Sequence, residues 1–138
     1  MSVNQVYHQN SAKLEEEQGW IRRAQKDPEK FGPLYKKYHE QMKEWMQISI
    51  EEGVKFFLTS LGKPDAVVKT AKEHGIVVYH DVPNKKVALA MRDSGVDGLN
   101  CINWRGGGQT GIQAAEQFME ELHDIKIPLI CAGGVGNA

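Results

Sequence analysis

The stretch that decides the fold is a strand-like run, GLNCIN (98–103), followed by a glycine-rich loop, WRGGGQTG (104–111). A second apolar run, IPLICA (127–132), also ends in glycines, at Gly133 and Gly134. Glycine at a strand end lets backbone N–H groups approach a ligand, because no Cβ stands in the way. One glycine cluster more often marks only a tight turn. Two clusters at equivalent places in successive units indicate a phosphate-bearing cofactor.

Strand-like and helical patterns alternate around this stretch. Strand-like runs cover 54–60, 76–80, 96–103 and 127–132, and helical patterns cover 66–74, 85–94 and 112–123. Strict alternation predicts right-handed βαβ crossovers and a parallel sheet. The repeat is typical of a (β/α)8 barrel or of a doubly wound sheet. Four strands are too few to close an ordinary barrel, which needs about eight.

The first part of the chain follows a different pattern. Residues 14–41 are predicted to be helical, and Asp27-Pro28 marks a helix start because proline suits the first helical position. Apolar residues then recur at helical spacing, at Phe31, Leu34, Tyr35 and Tyr38. They are therefore expected to share one helix face.

Composition and charge narrow the classes of function. The 138 residues carry a net charge of −1, so no bulk basic field favours nucleic acid as a partner. Cys101 and Cys131 stand in apolar runs and are predicted to be buried, reduced thiols. No Cys/His cluster indicates a metal site, and no apolar run is long enough to span a membrane. Because the first ten residues also lack an apolar signal segment, we expect a cytoplasmic location.

Residues 43–138 resemble the interior of the nitronate monooxygenase family, also called 2-nitropropane dioxygenases. The resemblance rests on FFLTSLGKP (56–64), GVDG (95–98), the glycine loop at 106–111 and PLICAGGVG (128–136). It implies an FMN-binding (β/α)8 barrel that oxidises alkyl nitronates with dioxygen. This chain would carry about strands four to seven, which makes it an α/β protein with a partial barrel of about four parallel βα units.

The resemblance also implies roles for individual residues. The cofactor would be held by Asn103, Gly107, Gly108, Gly133 and Gly134. The family usually has a histidine, acting as a base or polar partner near the flavin, where this chain has Gln109. Glutamine takes no proton near neutral pH, so it can only orient a substrate by hydrogen bonds.

Part of the family's barrel is absent from this sequence. Its first strands support the flavin ring, and its eighth strand carries a loop that completes phosphate binding. Without them, weak FMN binding and weak or no activity are expected. Self-association is expected through the sheet edge that the missing strands would pair.

Residues 14–41 resemble the start of region 2 of an extracytoplasmic-function sigma factor, a module that binds RNA polymerase. The two resemblances meet near residue 42, which divides the chain into a helical segment, 1–42, and a barrel part, 43–138. A sigma-like transcription module and a catalytically silent fusion product are therefore the alternatives to a flavin oxidoreductase.

Four further residues are candidates for the site. His80 and Asp81 end the second strand, where they either line the flavin pocket or cap the turn before Lys85. Trp104 and Arg105 either cover a flavin or simply cover the strand end, and the guanidinium of Arg105 could neutralise an anion. Asp97 is predicted to cap a turn or to pair locally, and not to catalyse.

Overall fold

The computed structural model describes residues 28–108 and 110–136. The chain forms two compact units, and the second begins at Gly53. Within the described residues, no helix combines the length and the apolar character needed to cross a membrane.

The described part of the first unit is one long helix, α1, which runs from Pro28 to Glu51. The helix begins at Pro28, as predicted, and the predicted cap, Asp27, lies outside the described residues. Tyr38, Met42, Trp45 and Ile48 recur every three or four residues along α1, and each is about half exposed. The helix continues without a break through residue 42, where the two resemblances meet, so the division at that position stays a prediction about ancestry.

The second unit alternates strands and helices as the sequence pattern predicts. Its elements are β1 (Phe56–Thr59), α2 (Asp65–Glu73), β2 (Val77–Val82), α3 (Lys85–Asp93), β3 (Gly98–Ile102), α4 (Ala115–Glu121) and β4 (Leu129–Ala132). The four strands form one sheet in the order β1-β2-β3-β4, and every neighbouring pair is parallel.

This strand order decides between the two predicted architectures. In a doubly wound sheet the order reverses, so that helices cover both faces. Here the order follows the chain, and crossovers of one hand place every helix on the same face. The burial of side chains agrees with this placement of the helices. The buried side chains of the strands all lie on one face, and the helices that cover this face contribute the rest of the core. The core side chains on these strands and helices are Val68, Ala71, Val78, Val82, Ala88, Met91, Leu99, Cys101 and Phe118. The unit is therefore an arc of a (β/α)8 barrel.

The opposite face of the sheet corresponds to the interior of a closed barrel. It carries apolar side chains that are 42–53% exposed, namely Phe56, Leu58, Val77 and Ile130. The Tyr79 ring lies across Gly98 on the adjacent strand, so closely that a Cβ on Gly98 would collide with it. Tyr79 also packs against Phe56, with 5.2 Å between the ring centroids. We call the side of the sheet that bears these residues the inner face. Its side chains pack against one another, but within the described residues nothing covers them.

Asp97 sets the position of β3 relative to β2. The Val78 N–H donates to Asp97 Oδ2 at 2.8 Å, and the Asp97 N–H donates to the Val78 carbonyl at 2.8 Å. The carboxylate therefore adds one more hydrogen bond between the two strands, just before β3 begins. Asp97 thus has a structural partner, but that partner is 19 residues away in the sequence and on the neighbouring strand, so the predicted local capping or pairing is wrong.

We expect Asp97→Ala to lower the free energy of unfolding by about 1–3 kcal/mol, because it leaves the buried Val78 N–H without its acceptor. Urea unfolding followed by circular dichroism, at one fixed protein concentration, measures the change. The control is Asp93→Ala, whose carboxylate forms only an exposed ion pair with Arg92, and it should cost at most about 1 kcal/mol. Equal costs for the two variants would contradict the role assigned to Asp97.

Candidate functional site

Two glycine loops meet at the carboxyl end of the sheet. One follows β3 and begins at Asn103, and the other follows β4 and begins at Gly133. Because β3 and β4 are parallel neighbours, both loops leave the same edge of the sheet. The Asn103 N–H donates to the Ala132 carbonyl at 2.9 Å, which extends the pairing to the point where the loops start.

The side chain of Asn103 ties the two loops together. Its amide nitrogen donates to the Gly133 carbonyl at 2.8 Å, and its amide oxygen accepts the Arg105 N–H at 2.8 Å. The same nitrogen lies 3.8 Å from Cys131 Sγ. Asn103 is fully buried, so its amide serves protein partners and shapes both loops. We call this set of hydrogen bonds the Asn103 clip.

The clip explains why the β4 loop begins with glycines. A Cβ on Gly133 would lie 2.6 Å from both Asn103 Oδ1 and the Gly106 nitrogen. A Cβ on Gly134 would lie 2.7 Å from Cδ of Arg105. Both residues also have positive φ, at +123° and +68°, a region that favours glycine. Gly133 and Gly134 are therefore required by the contact between the loops, with or without a ligand.

The glycines of the β3 loop divide into two groups. Gly106 and Gly111 pack on protein, since a Cβ on either would press on Ile102. Gly107 and Gly108 instead face open space, with no atom within 4 Å of an added Cβ. Gly108 has φ +77°, which accounts for its identity, whereas no backbone or packing constraint requires glycine at 107.

No packing contact accounts for glycine at 107, and the same is true of Gly136 in the β4 loop. Gly107 offers an uncovered stretch of backbone at the carboxyl end of a parallel sheet, where barrel enzymes bind their ligands. The residues present therefore fit one side of a cofactor cradle. Gly107 and Gly108 supply the open surface, and Gly133 and Gly134 supply the close contact that positions it.

Arg105 places a positive charge beside this surface. Its stem lies against Gly134, and its guanidinium carbon lies 4.9 Å from the centre of the Trp104 ring. Such a cation–π contact restricts the guanidinium without neutralising it. The Trp104 N–H donates to the Gln113 carbonyl at 3.0 Å, and the Gln113 amide donates to Glu121 at 2.7 Å. Gln113 thereby anchors the β3 loop to α4, a role that no pattern in the sequence indicates.

The residue predicted to act in catalysis, Gln109, lies outside the described residues. Its role in orienting a substrate therefore stays a prediction, as do the cofactor-binding roles of Asn103, Gly107, Gly108, Gly133 and Gly134. In the part of the chain that the structure describes, no three His, Cys, Asp or Glu side chains come together in a way that could hold a metal ion.

His80 and Asp81 point to opposite faces of β2. His80 lies on the helix-covered face with Val78 and Val82 and is 2% exposed. The Thr59 hydroxyl oxygen lies 2.7 Å from His80 Nδ1. His80 is therefore a core residue of this unit and does not line the inner face.

Asp81 lies on the inner face and accepts a hydrogen bond from the Asn100 amide at 2.7 Å. Neither His80 nor Asp81 caps the turn before Lys85. Asn84 does so, because its side-chain oxygen accepts the Val87 N–H at 3.0 Å.

The cysteines occupy neighbouring positions on β3 and β4. Cys101 pairs in register with Cys131, and both thiols are free. Cys101 is fully buried, and burial together with the nearby Cys131 raises its pKa to about 12. The reduced state predicted for both stays a prediction. Burial is complete for Cys101, whereas Cys131 is half-buried.

Comparison with known proteins gives a likeness of fold. No protein family matches the chain by its sequence profile, and no curated protein matches it. Among solved structures, it is similar to a mutant FabK from Thermotoga maritima, with a TM-score of 0.62 and 25% identity, over 67% of this chain and 31% of that one. It is also similar to nitroalkane oxidase from Streptomyces ansochromogenes, with a TM-score of 0.56 and 14% identity, over 61% of this chain and 28% of that one. A second FabK structure from Thermotoga maritima is similar with a TM-score of 0.56 and 22% identity, over 61% of this chain and 27% of that one.

The chain thus spans about three tenths of the length of the proteins that it matches. These matches confirm the predicted partial (β/α)8 barrel, and they include a nitroalkane oxidase among the proteins that share its fold. No comparison supports the resemblance of residues 14–41 to a sigma factor, and residues 14–27 lie outside the described residues.

We expect a pH dependence of stability from His80. Burial lowers its pKa below the ordinary 6.5, and the Asp81 carboxylate acts in the opposite direction. The unfolded chain therefore binds the proton first as the pH falls. The stability that His80 contributes is complete above about pH 6.5 and decreases below it, by at most about 1.4 kcal/mol per pH unit.

Urea unfolding between pH 7.5 and 5 measures this slope. His80→Gln should flatten it, and His123→Gln, which changes a surface imidazole, should leave it in place. An unchanged slope in His80→Gln would show that another group is responsible.

The packed glycine at 133 and the open glycine at 107 predict losses of different size on substitution by alanine. Gly133→Ala should lower the free energy of unfolding by about 2–4 kcal/mol, because it adds a clash with backbone to a strained φ. Gly107→Ala should change it by less than about 0.5 kcal/mol, because its Cβ meets nothing. Parallel urea titrations compare the two. Similar losses in both variants would mean that the β3 loop is packed at Gly107 as well.

Proposed function

We propose that this chain is part of an FMN-dependent oxidoreductase of nitronate monooxygenase type, and that by itself it binds the cofactor weakly. The observation that carries the proposal is the Asn103 clip, which holds two glycine loops together at the carboxyl end of a parallel sheet. The unexplained glycine at 107 supports it further, because an open glycine there suits the close approach of a flat or phosphorylated ligand.

The residues at the carboxyl end of the sheet have separate roles in binding the cofactor and the substrate. Gly107 and Gly108 present backbone to the cofactor, while Gly133 and Gly134 keep the second loop close to it. Arg105 lies beside both loops and brings a positive charge that attracts an anion. FMN, when bound, supplies the acceptor for the electrons of the substrate and passes them to dioxygen.

The substrate class follows from the resemblance and from the charge at the site. A nitronate is a small anion, and Arg105 offers it a favourable electrostatic environment at the loop end. Gln109 would hold the nitro group by hydrogen bonds from its amide. Because an amide takes no proton near neutral pH, this chain suits a substrate that arrives already deprotonated. The fold shared with a nitroalkane oxidase is in keeping with this class.

The fragmentary character of the barrel limits affinity. Cofactor sites enclose most of the ligand surface, and here four strands provide only one side of such an enclosure. Water then reaches the site and weakens each electrostatic contact within it. We therefore expect a Kd for FMN above about 10 μM, which corresponds to less than about 7 kcal/mol of binding free energy.

Titration of FMN into the purified chain, followed by flavin fluorescence, tests this proposal. Gly107→Val should weaken the measured affinity at least about tenfold, because its side chain fills the open surface. The control is Gly75→Asn, which enlarges a glycine at the amino end of β2, where asparagine tolerates the positive φ of +64°. Equal affinities for the chain, Gly107→Val and Gly75→Asn would contradict the assigned site.

Oxygen uptake with an alkyl nitronate tests the reaction itself. The chain should show little or no uptake, and Gln109→His should restore little, because the open barrel and weak FMN binding remain. Tight stoichiometric FMN binding together with nitronate-dependent oxygen uptake would show that the four-stranded arc is a sufficient enzyme.

A further inference from the structure

Two thiols lie beside the Asn103 clip, on the helix-covered face of the sheet. Cys101 and Cys131 are partners in the register of β3 and β4, and each stands two residues before a member of the clip. Side chains two residues apart share one face of a strand. The two thiols therefore form one pair across these strands, and Asn103 and Gly133 form the next pair. The proposed cofactor site uses neither thiol.

The two cysteines are close enough to bond to each other. Neighbouring strands lie about 4.8 Å apart, and a disulfide joins residues whose Cα atoms are about 4.4–6.8 Å apart. The nearby Cys131 also contributes to the raised pKa of Cys101. Both thiols are free. Their sulfur atoms can therefore form a bond without any change in the register of the strands.

The two thiols differ in reactivity. Cys101 is fully buried, and burial raises its pKa to about 12, which makes it a poor nucleophile near neutral pH. Cys131 is half-buried, and its sulfur accepts a hydrogen bond from the Asn103 amide at 3.8 Å. A small oxidant therefore reacts with Cys131 first. Cys101 then reacts because it is held next to the oxidised sulfur, and such positioning strongly favours a reaction over its equivalent in solution.

We propose that Cys101 and Cys131 form a reversible disulfide in the presence of hydrogen peroxide, and that this bond alters the Asn103 clip. The Cys131 sulfur attacks one peroxide oxygen, which breaks the O–O bond, gives a sulfenic acid and releases one water. The Cys101 sulfur then attacks the Cys131 sulfur and displaces its hydroxyl group as a second water. The two thiols lose two electrons and two protons, and the peroxide takes up both. The proposal does not depend on FMN.

The bond acts on the clip through geometry. A disulfide holds its two Cβ atoms about 3.8 Å apart, which is closer than the spacing of the strands, so it draws β3 and β4 together just before the two loops begin. The Cys131 sulfur also turns toward Cys101, and the Asn103 amide loses its contact with that sulfur. Both changes reach the hydrogen bond between Asn103 and the Gly133 carbonyl. A strained bridge is also more easily reduced, which suits a reversible switch.

Peptide mapping without reduction tests whether the bond forms. After treatment of the full chain with hydrogen peroxide, we expect a linked pair of peptides that carry Cys101 and Cys131 and weigh two hydrogen atoms less than the separate peptides. Dithiothreitol should separate the pair again. A map in which Cys131 carries only added oxygen, or in which both thiols stay free, would overturn the proposal.

The amide NMR spectrum of the oxidised chain tests the effect on the loops. Resonances of residues 104–108 and 133–136 should shift together on oxidation and return with dithiothreitol, while those of β1 and β2 stay in place. The matched control is Cys131→Ala, in which the same treatment should produce no shift that dithiothreitol reverses. Loops that stay in place after the bond has formed, or that shift reversibly in Cys131→Ala as well, would show that the cysteine pair does not act on the clip.

Discussion

The Asn103 clip is the constraint on which the functional end of this structure depends. One buried amide accepts the Arg105 N–H and donates to the Gly133 carbonyl, so it fixes two loops that glycine would otherwise leave free. Removal of the side chain would leave both backbone groups without their present partners. The glycines at 133 and 134 follow from the clip, since a side chain at either position would push the loops apart.

The partial barrel affects both the candidate cofactor site and the inner face of the sheet. The carboxyl end of the sheet offers a cofactor only one side of a cradle, and the inner face has no cover within the described residues. Gly107 and Arg105 provide an open backbone surface and a charge, but four strands provide no opposite wall. The weak binding proposed for FMN and the uncovered inner face therefore have one cause, a sheet of four strands in the described residues.

The sequence predicted the elements of the second unit better than it predicted their arrangement. Alternating patterns located all four strands, since each strand is a short apolar run that glycines precede or follow. The choice between a barrel and a doubly wound sheet depended on strand order, which arises from pairing between distant segments and leaves no mark in local periodicity. His80 and Asp81 show the same limit. They are adjacent in sequence at a strand end, yet the pleat sends one into the core and the other to the inner face.

The most direct test of this account is the amide NMR spectrum of Asn103→Leu, which keeps the branched shape of the side chain and removes both hydrogen-bonding groups. If the clip holds the loops, resonances of residues 104–108 and 133–136 should shift or broaden together, while those of β1 and β2 stay in place. Changes confined to one loop, or a spectrum that matches the unsubstituted chain in both, would show that the two glycine loops are positioned independently of Asn103.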